Sequence, residues 1–181
     1  MTQMTIAEAL REVADVKGKI DDWSKRLAPA VVWYEEDPPA FEFASIRETM
    51  NVLVLRLVEL QTAIAIANAT TTLEWQGRTI PLALAIRTLS EIKGARKKVE
   101  DLAVRNMDVG TEDKQEIDYD DEGKRFVKKT KRPWKCMLTT AKQAALLDSL
   151  QEKFIKLNNA VETVNHKTLI TVVVGLSDAA V

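Results

Sequence analysis

Residues 46–67 have the most regular alternation of apolar and polar positions in the chain. The apolar positions are separated alternately by four and three residues: Ile46, Met50, Leu53, Leu57, Leu60, Ile64 and Ala67. This heptad spacing places them along one seam of a helix that faces a partner helix. Val54 and Val58 lie beside the seam and indicate a second neighbour. The pattern predicts a central helix, and the first six seam residues are the candidate oligomer interface.

Three other segments have the same periodicity and predict three further long helices. The first begins at Thr5, where Glu8 completes a capping-box pattern, and ends before Pro29. The next begins near Thr79 and continues to about residue 103, and the last spans residues 139–165. A helix of roughly 22 residues is about 33 Å long. These lengths predict an elongated, rod-like bundle with more side surface than one chain can cover.

Several short segments between and after these helices favour extended backbone. Residues 30–34 are a β-prone run, followed by an acidic break with two prolines at 35–39. Residues 72–79 predict a small hairpin with its turn at Gln76 and Gly77. Residues 168–174 form a β-prone tail, which we expect to pair with a neighbour within the chain or across subunits.

A charged segment at about residues 108–133 predicts a β-hairpin inserted between the third and fourth helices. Residues 108–122 contain eight acids and one lysine, whereas residues 124–135 contain seven basic residues and no acid. Apolar residues alternate with polar ones on both sides of a turn-forming sequence at 120–123. We expect the acidic arm to face the basic arm. The candidate residues of this charged hairpin are Asp118, Asp120, Asp121, Lys124, Arg125, Lys128 and Lys129.

Composition and charge favour one soluble domain over residues 1–181. The net charge of −1 provides no overall field that would recruit nucleic acid or anionic lipid. The single cysteine, Cys136, gives no argument for an oxidising compartment. We see no signal peptide, and Arg56 and Glu59 interrupt the best candidate for a transmembrane segment. The expected location is the cytoplasm, or a virion if the protein is encoded by a phage.

The residue types that carry chemistry do not form a recognisable catalytic or metal-binding pattern. Acids around Gly123 lack the spacing of a calcium loop, so a solvated turn is favoured. His166 and Cys136 have no partners at catalytic spacing. The basic arm at 124–135, with Phe126 and Trp134, has the composition of a nucleic-acid patch, but the acidic arm would neutralise much of it. We predict no enzyme and no cofactor or metal, and interpret Trp23, Trp33, Trp75 and Trp134 as core or interface anchors.

Short motifs along most of the chain resemble the septicolysin-like family of small bacterial and phage proteins of uncharacterised function. They are Ala7-Glu8-Ala9-Leu10, Lys19-Ile20, Arg26-Leu27, Glu36-Asp37-Pro38, Asn68-Ala69-Thr70, Gly77-Arg78-Thr79, Leu82-Ala83-Leu84-Ala85, Leu150-Gln151 and residues 158–165. The resemblance implies an elongated helical bundle that self-associates, and it supplies no catalytic residues. The family's name suggests membrane lysis, but the sequence has no evident insertion segment.

The sequence as a whole predicts a mainly all-α protein. Its expected architecture is an elongated antiparallel helical bundle, or coiled coil, of about four long helices with one or two short β-hairpins. The predicted function is a structural or assembly protein that forms a homo-oligomer, with other virion or assembly proteins as further partners. The alternatives are a membrane-active oligomer and a nucleic-acid-binding bundle that uses the basic arm, and neither a membrane nor nucleic acid is the favoured partner.

Overall fold

The computed structural model describes residues 2–119 and 121–172, except for the side chain of Phe126. The helices in this part of the chain are α1 (Ile6–Ser24), α2 (Leu27–Val31), α3 (Phe43–Thr70), α4 (Leu82–Glu100) and α5 (Thr140–Lys167). The strands are β1 (Thr2–Thr5), β2 (Thr72–Trp75), β3 (Arg78–Pro81), β4 (Val109–Tyr119), β5 (Arg125–Lys135) and β6 (Leu169–Val172).

The prediction of a mainly all-α bundle is wrong. The described chain is 59% helix and 23% strand, and the strands form three small antiparallel sheets. Four long helices do occur near the predicted segments, but they belong to a mixture of helices and sheets and not to an elongated all-α bundle. Apolar periodicity identified the four long helices locally, but not the short helix α2. It could not show that strands from the two ends of the described chain pair with each other.

The first compact unit comprises residues 2–88 and 157–172 and contains the apolar core. In it α1 packs against α3, and β1 pairs with β6 in the register Thr2↔Val172 to Thr5↔Leu169. The β-prone tail therefore pairs within the chain, although Val173 and Val174 lie outside the described residues. The fully buried large side chains are Ile6, Ile46, Leu60, Leu82, Leu157 and Val172.

Local sequence signals explain the ends of several of these elements. The Thr5 N–H donates to Glu8 Oε2 at 2.7 Å and the Glu8 N–H to Thr5 Oγ1 at 3.2 Å, which confirms the capping box at the start of α1. Pro29 lies in the first turn of the separate helix α2, where a backbone N–H would have no acceptor within the helix. The β2–β3 turn has positive φ at Gln76 (50°) and Gly77 (73°), as a two-residue hairpin turn requires.

The second compact unit comprises residues 89–156 and lacks a buried apolar core of its own in its described part. It contains the end of α4, the β4–β5 hairpin and the beginning of α5. Polar contacts link the two helices: Arg96 Nη1 donates to Gln151 Oε1 at 2.6 Å, and Gln143 Nε2 donates to the Val99 carbonyl at 2.7 Å. The apolar seam residues of this unit, such as Leu150, stay half-buried. The prediction of one domain over residues 1–181 stays a prediction.

Candidate interaction surfaces

The heptad seam of α3 is divided between the core of the chain and its margin. Ile46, Leu60 and Ile64 are buried, at 1%, 0% and 9% exposure. Met50, Leu53 and Leu57 are half-buried. The three buried residues already contact their own chain, so they are not available to a second copy. Ile46, Leu60 and Ile64 thus belong to the core of the chain. The assignment of the six seam residues to an oligomer interface stays a prediction.

Outside its buried seam positions, α3 has apolar side chains that are exposed. Val54, Val58 and Ile66 are 44%, 46% and 60% exposed. In the described chain α3 is also long and apolar enough to cross a membrane, judged by length and composition alone. Of the residues in its most apolar stretch, 22% are buried. Arg56 and Glu59 lie within this helix, and the core helix of a soluble protein passes the same test of length and composition. We call the surface formed by Val54, Val58 and Ile66 the outward face of α3.

An ion-pair network fastens α3 to α1. Arg56 Nε donates to Glu12 Oε1 at 2.8 Å, its Nη2 lies 2.7 Å from the same oxygen, and its Nη1 lies 3.5 Å from Glu59 Oε2. The Glu59 side chain is only 4% exposed and that of Arg56 19%. In the sequence, Arg56 and Glu59 are recognisable only as charged interruptions of an apolar run. The distant partner Glu12 could not be found from periodicity.

The β4–β5 hairpin separates its charges between two faces. The register runs without interruption from Val109↔Lys135 to Tyr119↔Arg125, so odd-numbered residues share one face and even-numbered residues share the other. We call the even face the balanced face, because it has three acids and three cations: Glu112, Glu116, Asp118, Lys114, Lys128 and Arg132. Lys128 Nζ lies 3.8 Å from Asp118 Oδ2, and Lys114 pairs with Glu116. The hydrogen bond from Lys114 holds the pKa of Glu116 below its ordinary value.

The odd face, which we call the cationic face, has four cations and one acid. The cations are Arg125, Lys129, Lys131 and Lys135, and the acid is Asp113. None of these four cations forms an ion pair with the described part of the chain. Exposed apolar residues lie among them: Val109, Ile117, Tyr119 and Val127. Three of the four acids of β4 lie on the balanced face, so the cationic face has an excess of positive charge. Neutralisation of the basic arm by the acidic arm stays a prediction.

The remaining candidate residues of the charged hairpin lie at its turn. Asp121 and Lys124 are exposed beside Gly123, whose φ is 77°. Asp120 lies outside the described residues. The structure thus places Asp118 and Lys128 together on the balanced face and Arg125 and Lys129 together on the cationic face.

Packing of an aromatic ring against glycine fixes the base of the hairpin. The ring of Trp134 lies across Gly110, where an added Cβ would overlap it. The guanidinium of Arg105 covers the same ring at 4.6 Å and donates to Glu112 Oε2 at 2.8 Å. Trp134 is therefore a half-buried anchor within this unit.

A second apolar surface lies in the connection between α2 and α3. Four consecutive large residues are 53% to 80% exposed: Val31, Val32, Trp33 and Tyr34. Glu35, Glu36 and Asp37 follow directly and are exposed, and the Asp37 N–H donates to the Tyr34 carbonyl at 3.0 Å. We call residues 31–37 the aromatic–acidic segment. From the sequence the segment was expected to be β-prone and Trp33 to be a core or interface anchor. The four apolar residues next to three acids were the sequence feature that could have indicated an exposed surface.

The titratable residues considered for catalysis have ordinary structural roles. His166 Nε2 lies 4.0 Å from Glu162 Oε2 near the end of α5, and the Cys136 thiol donates to the Leu138 carbonyl at 3.0 Å. Among the described residues no three His, Cys, Asp or Glu side chains are grouped so that they could hold a metal ion. An open groove of about 370 Å³ lies beside Arg26, whose guanidinium stacks on Trp23 at 4.4 Å and Phe41 at 5.0 Å.

Comparison with known proteins supports the fold and adds nothing on function. No family model matches the chain, and no curated protein matches it significantly. A functionally unknown conserved protein from Corynebacterium diphtheriae has a similar crystal structure, with a TM-score of 0.70 and 17% sequence identity. The match covers 94% of this chain and 100% of that one. At this identity the similarity concerns the fold alone.

Proposed function

We propose that this chain is a non-enzymatic structural protein that forms a homo-oligomer, in which a second copy covers the outward face of α3. One observation carries the proposal: in α3, the most apolar of the four long described helices, only 22% of the residues in the most apolar stretch are buried. Each Å² of apolar surface removed from water contributes about 25 cal/mol. Covering Val54, Val58 and Ile66 would therefore favour association, and isologous contact of one helix face is the commonest way for identical chains to achieve it.

The proposal also includes the family resemblance, the location and the further partners of the protein. We keep the resemblance to the septicolysin-like family, with its expectation of self-association, as part of it. The location would be the cytoplasm, or the virion for a phage-encoded chain, with other assembly proteins as further partners.

A membrane-active oligomer is the second candidate, because α3 is long and apolar enough to cross a bilayer. The network of Arg56, Glu59 and Glu12 opposes it. Insertion would have to separate α3 from α1 and place two charged side chains in hydrocarbon, which is expensive. Self-association requires no such rearrangement.

Light scattering on a sizing column tests the proposal. The wild-type chain should form a multimer, and the variant Val54→Glu/Val58→Glu should lose it while keeping its helical circular dichroism. A matched control, Ala14→Glu/Ser149→Glu, adds two carboxylates at other exposed helical positions and should keep the wild-type mass. A wild-type monomer at every concentration would refute self-association. Leakage of liposomes by the wild type, lost with the same valine substitutions, would favour the membrane candidate instead.

A further inference from the structure

Two exposed surfaces of the chain have complementary composition and charge. The aromatic–acidic segment presents apolar side chains beside three carboxylates, namely Glu35, Glu36 and Asp37. The cationic face presents apolar side chains among four cations and one carboxylate. Surfaces that combine opposite charge with exposed apolar area are suited to pair with each other. Both are exposed in the chain as described, so each is available to a molecule outside it.

We propose that the aromatic–acidic segment of one copy binds the cationic face of the hairpin of the next copy. The inference rests on the proposed self-association and adds a second, head-to-tail contact that differs from the one on α3. Such a heterologous contact joins two different patches, so it generates rings or filaments. Trp33 and Tyr34 would lie against Ile117, Tyr119 and Val127, since aromatic residues favour the centre of an interface.

Charge favours this occupant over the two other kinds of partner. An anionic membrane would attract the cationic face but repel the three acids that follow Tyr34. Nucleic acid would likewise use the cationic face and leave the aromatic–acidic segment uncovered. A second copy of the chain satisfies both surfaces at once. Binding of a second copy would also explain why the hairpin concentrates unbalanced cations on one of its two faces.

Charge reversal on each surface, and a mixture of the two variants, tests the contact in the full-length chain. Glu35→Lys/Glu36→Lys/Asp37→Lys reverses the segment, and Lys129→Glu/Lys131→Glu/Lys135→Glu reverses the face. Each variant alone should lose the head-to-tail step, seen in sedimentation velocity as a rise of about tenfold or more in the concentration for half-association. An equimolar mixture should regain it, because the reversed segment of one variant then meets the reversed face of the other.

The control substitutes three exposed lysines elsewhere by glutamate, Lys17, Lys19 and Lys153, and should associate as the wild type does. If both reversed variants keep the wild-type multimer, the inference fails while the proposed homo-oligomer stands. If both lose it and the mixture does not recover, the segment and the face do not meet, and the inference also fails. A monomeric wild type would overturn the inference together with the proposed function. The wild type and the variant with Lys129, Lys131 and Lys135 changed to glutamate are also applied to duplex DNA. If only the wild type is retained and both still associate, the cationic face binds nucleic acid and the inference is rejected.

Discussion

Replacing Arg56 by methionine tests the physical account of how α3 is held to α1. The guanidinium contacts Glu12 of α1 at 2.7 Å and 2.8 Å, and it lies 3.5 Å from the buried carboxylate of Glu59. Methionine keeps much of the apolar stem but removes the cation. The substitution therefore leaves Glu12 and Glu59 facing this part of the core without Arg56.

The burial of the three side chains sets the size of the effect. Breaking a fully buried ion pair costs about 3–5 kcal/mol, whereas an exposed pair contributes about 0–1 kcal/mol. Arg56 is 19% exposed, Glu59 4% and Glu12 33%. The network lies nearer the buried limit but is partly screened at Glu12, so we expect a loss of about 2–3 kcal/mol in the free energy of unfolding.

Urea unfolding followed by far-UV circular dichroism measures this loss, at one fixed protein concentration because association shifts apparent stability. The control is Lys156→Met, which removes the same charge from a pair with Glu152 whose side chains are 71% and 73% exposed. That control should lose at most about 0.5 kcal/mol. Adding Glu12→Gln and Glu59→Gln to Arg56→Met should recover part of the loss, because the two carboxylates that face Arg56 would then no longer carry a charge without its guanidinium. If Arg56→Met is no less stable than Lys156→Met, the network does not fasten the helices and the reasoning is refuted.

Two further predictions concern a helix cap and the base of the hairpin. Hydrogen bonds from Thr5 hold the pKa of Glu8 below its ordinary value of 4.5, so the stability from Glu8 is present above pH 4.5 and is lost as pH falls through the lowered pKa. Glu8→Ala should therefore reduce the dependence of the urea midpoint on acid, and an unchanged dependence would contradict the cap's contribution. Gly110→Ala should destabilise the hairpin by about 1–3 kcal/mol, because its Cβ would displace Trp134. Gly18→Ala is the opposite case: open space in α1 should allow a gain of about 1 kcal/mol, and equal effects at the two glycines would show that steric overlap is not the cause.

The sequence by itself determined the local elements whose signals lie within a few residues. The heptad seam indicated α3, Thr5 and Glu8 indicated the cap of α1, and alternation around Gly123 indicated the β4–β5 hairpin. Periodicity and capping are properties of neighbouring residues, so they can be recognised without the fold.

Only the tertiary structure determined the fold class, which seam residues of α3 are buried, and how the charges of the hairpin are divided between its two faces. Pairing of β1 with β6 joins residues at opposite ends of the described chain, and the contact of Arg56 with Glu12 spans two helices. The register of β4 against β5 determined which charged residues share a face of the hairpin. Each of these depends on contacts between distant parts of the chain. The apolar pattern allows many such pairings, and only packing of the whole chain selects one of them.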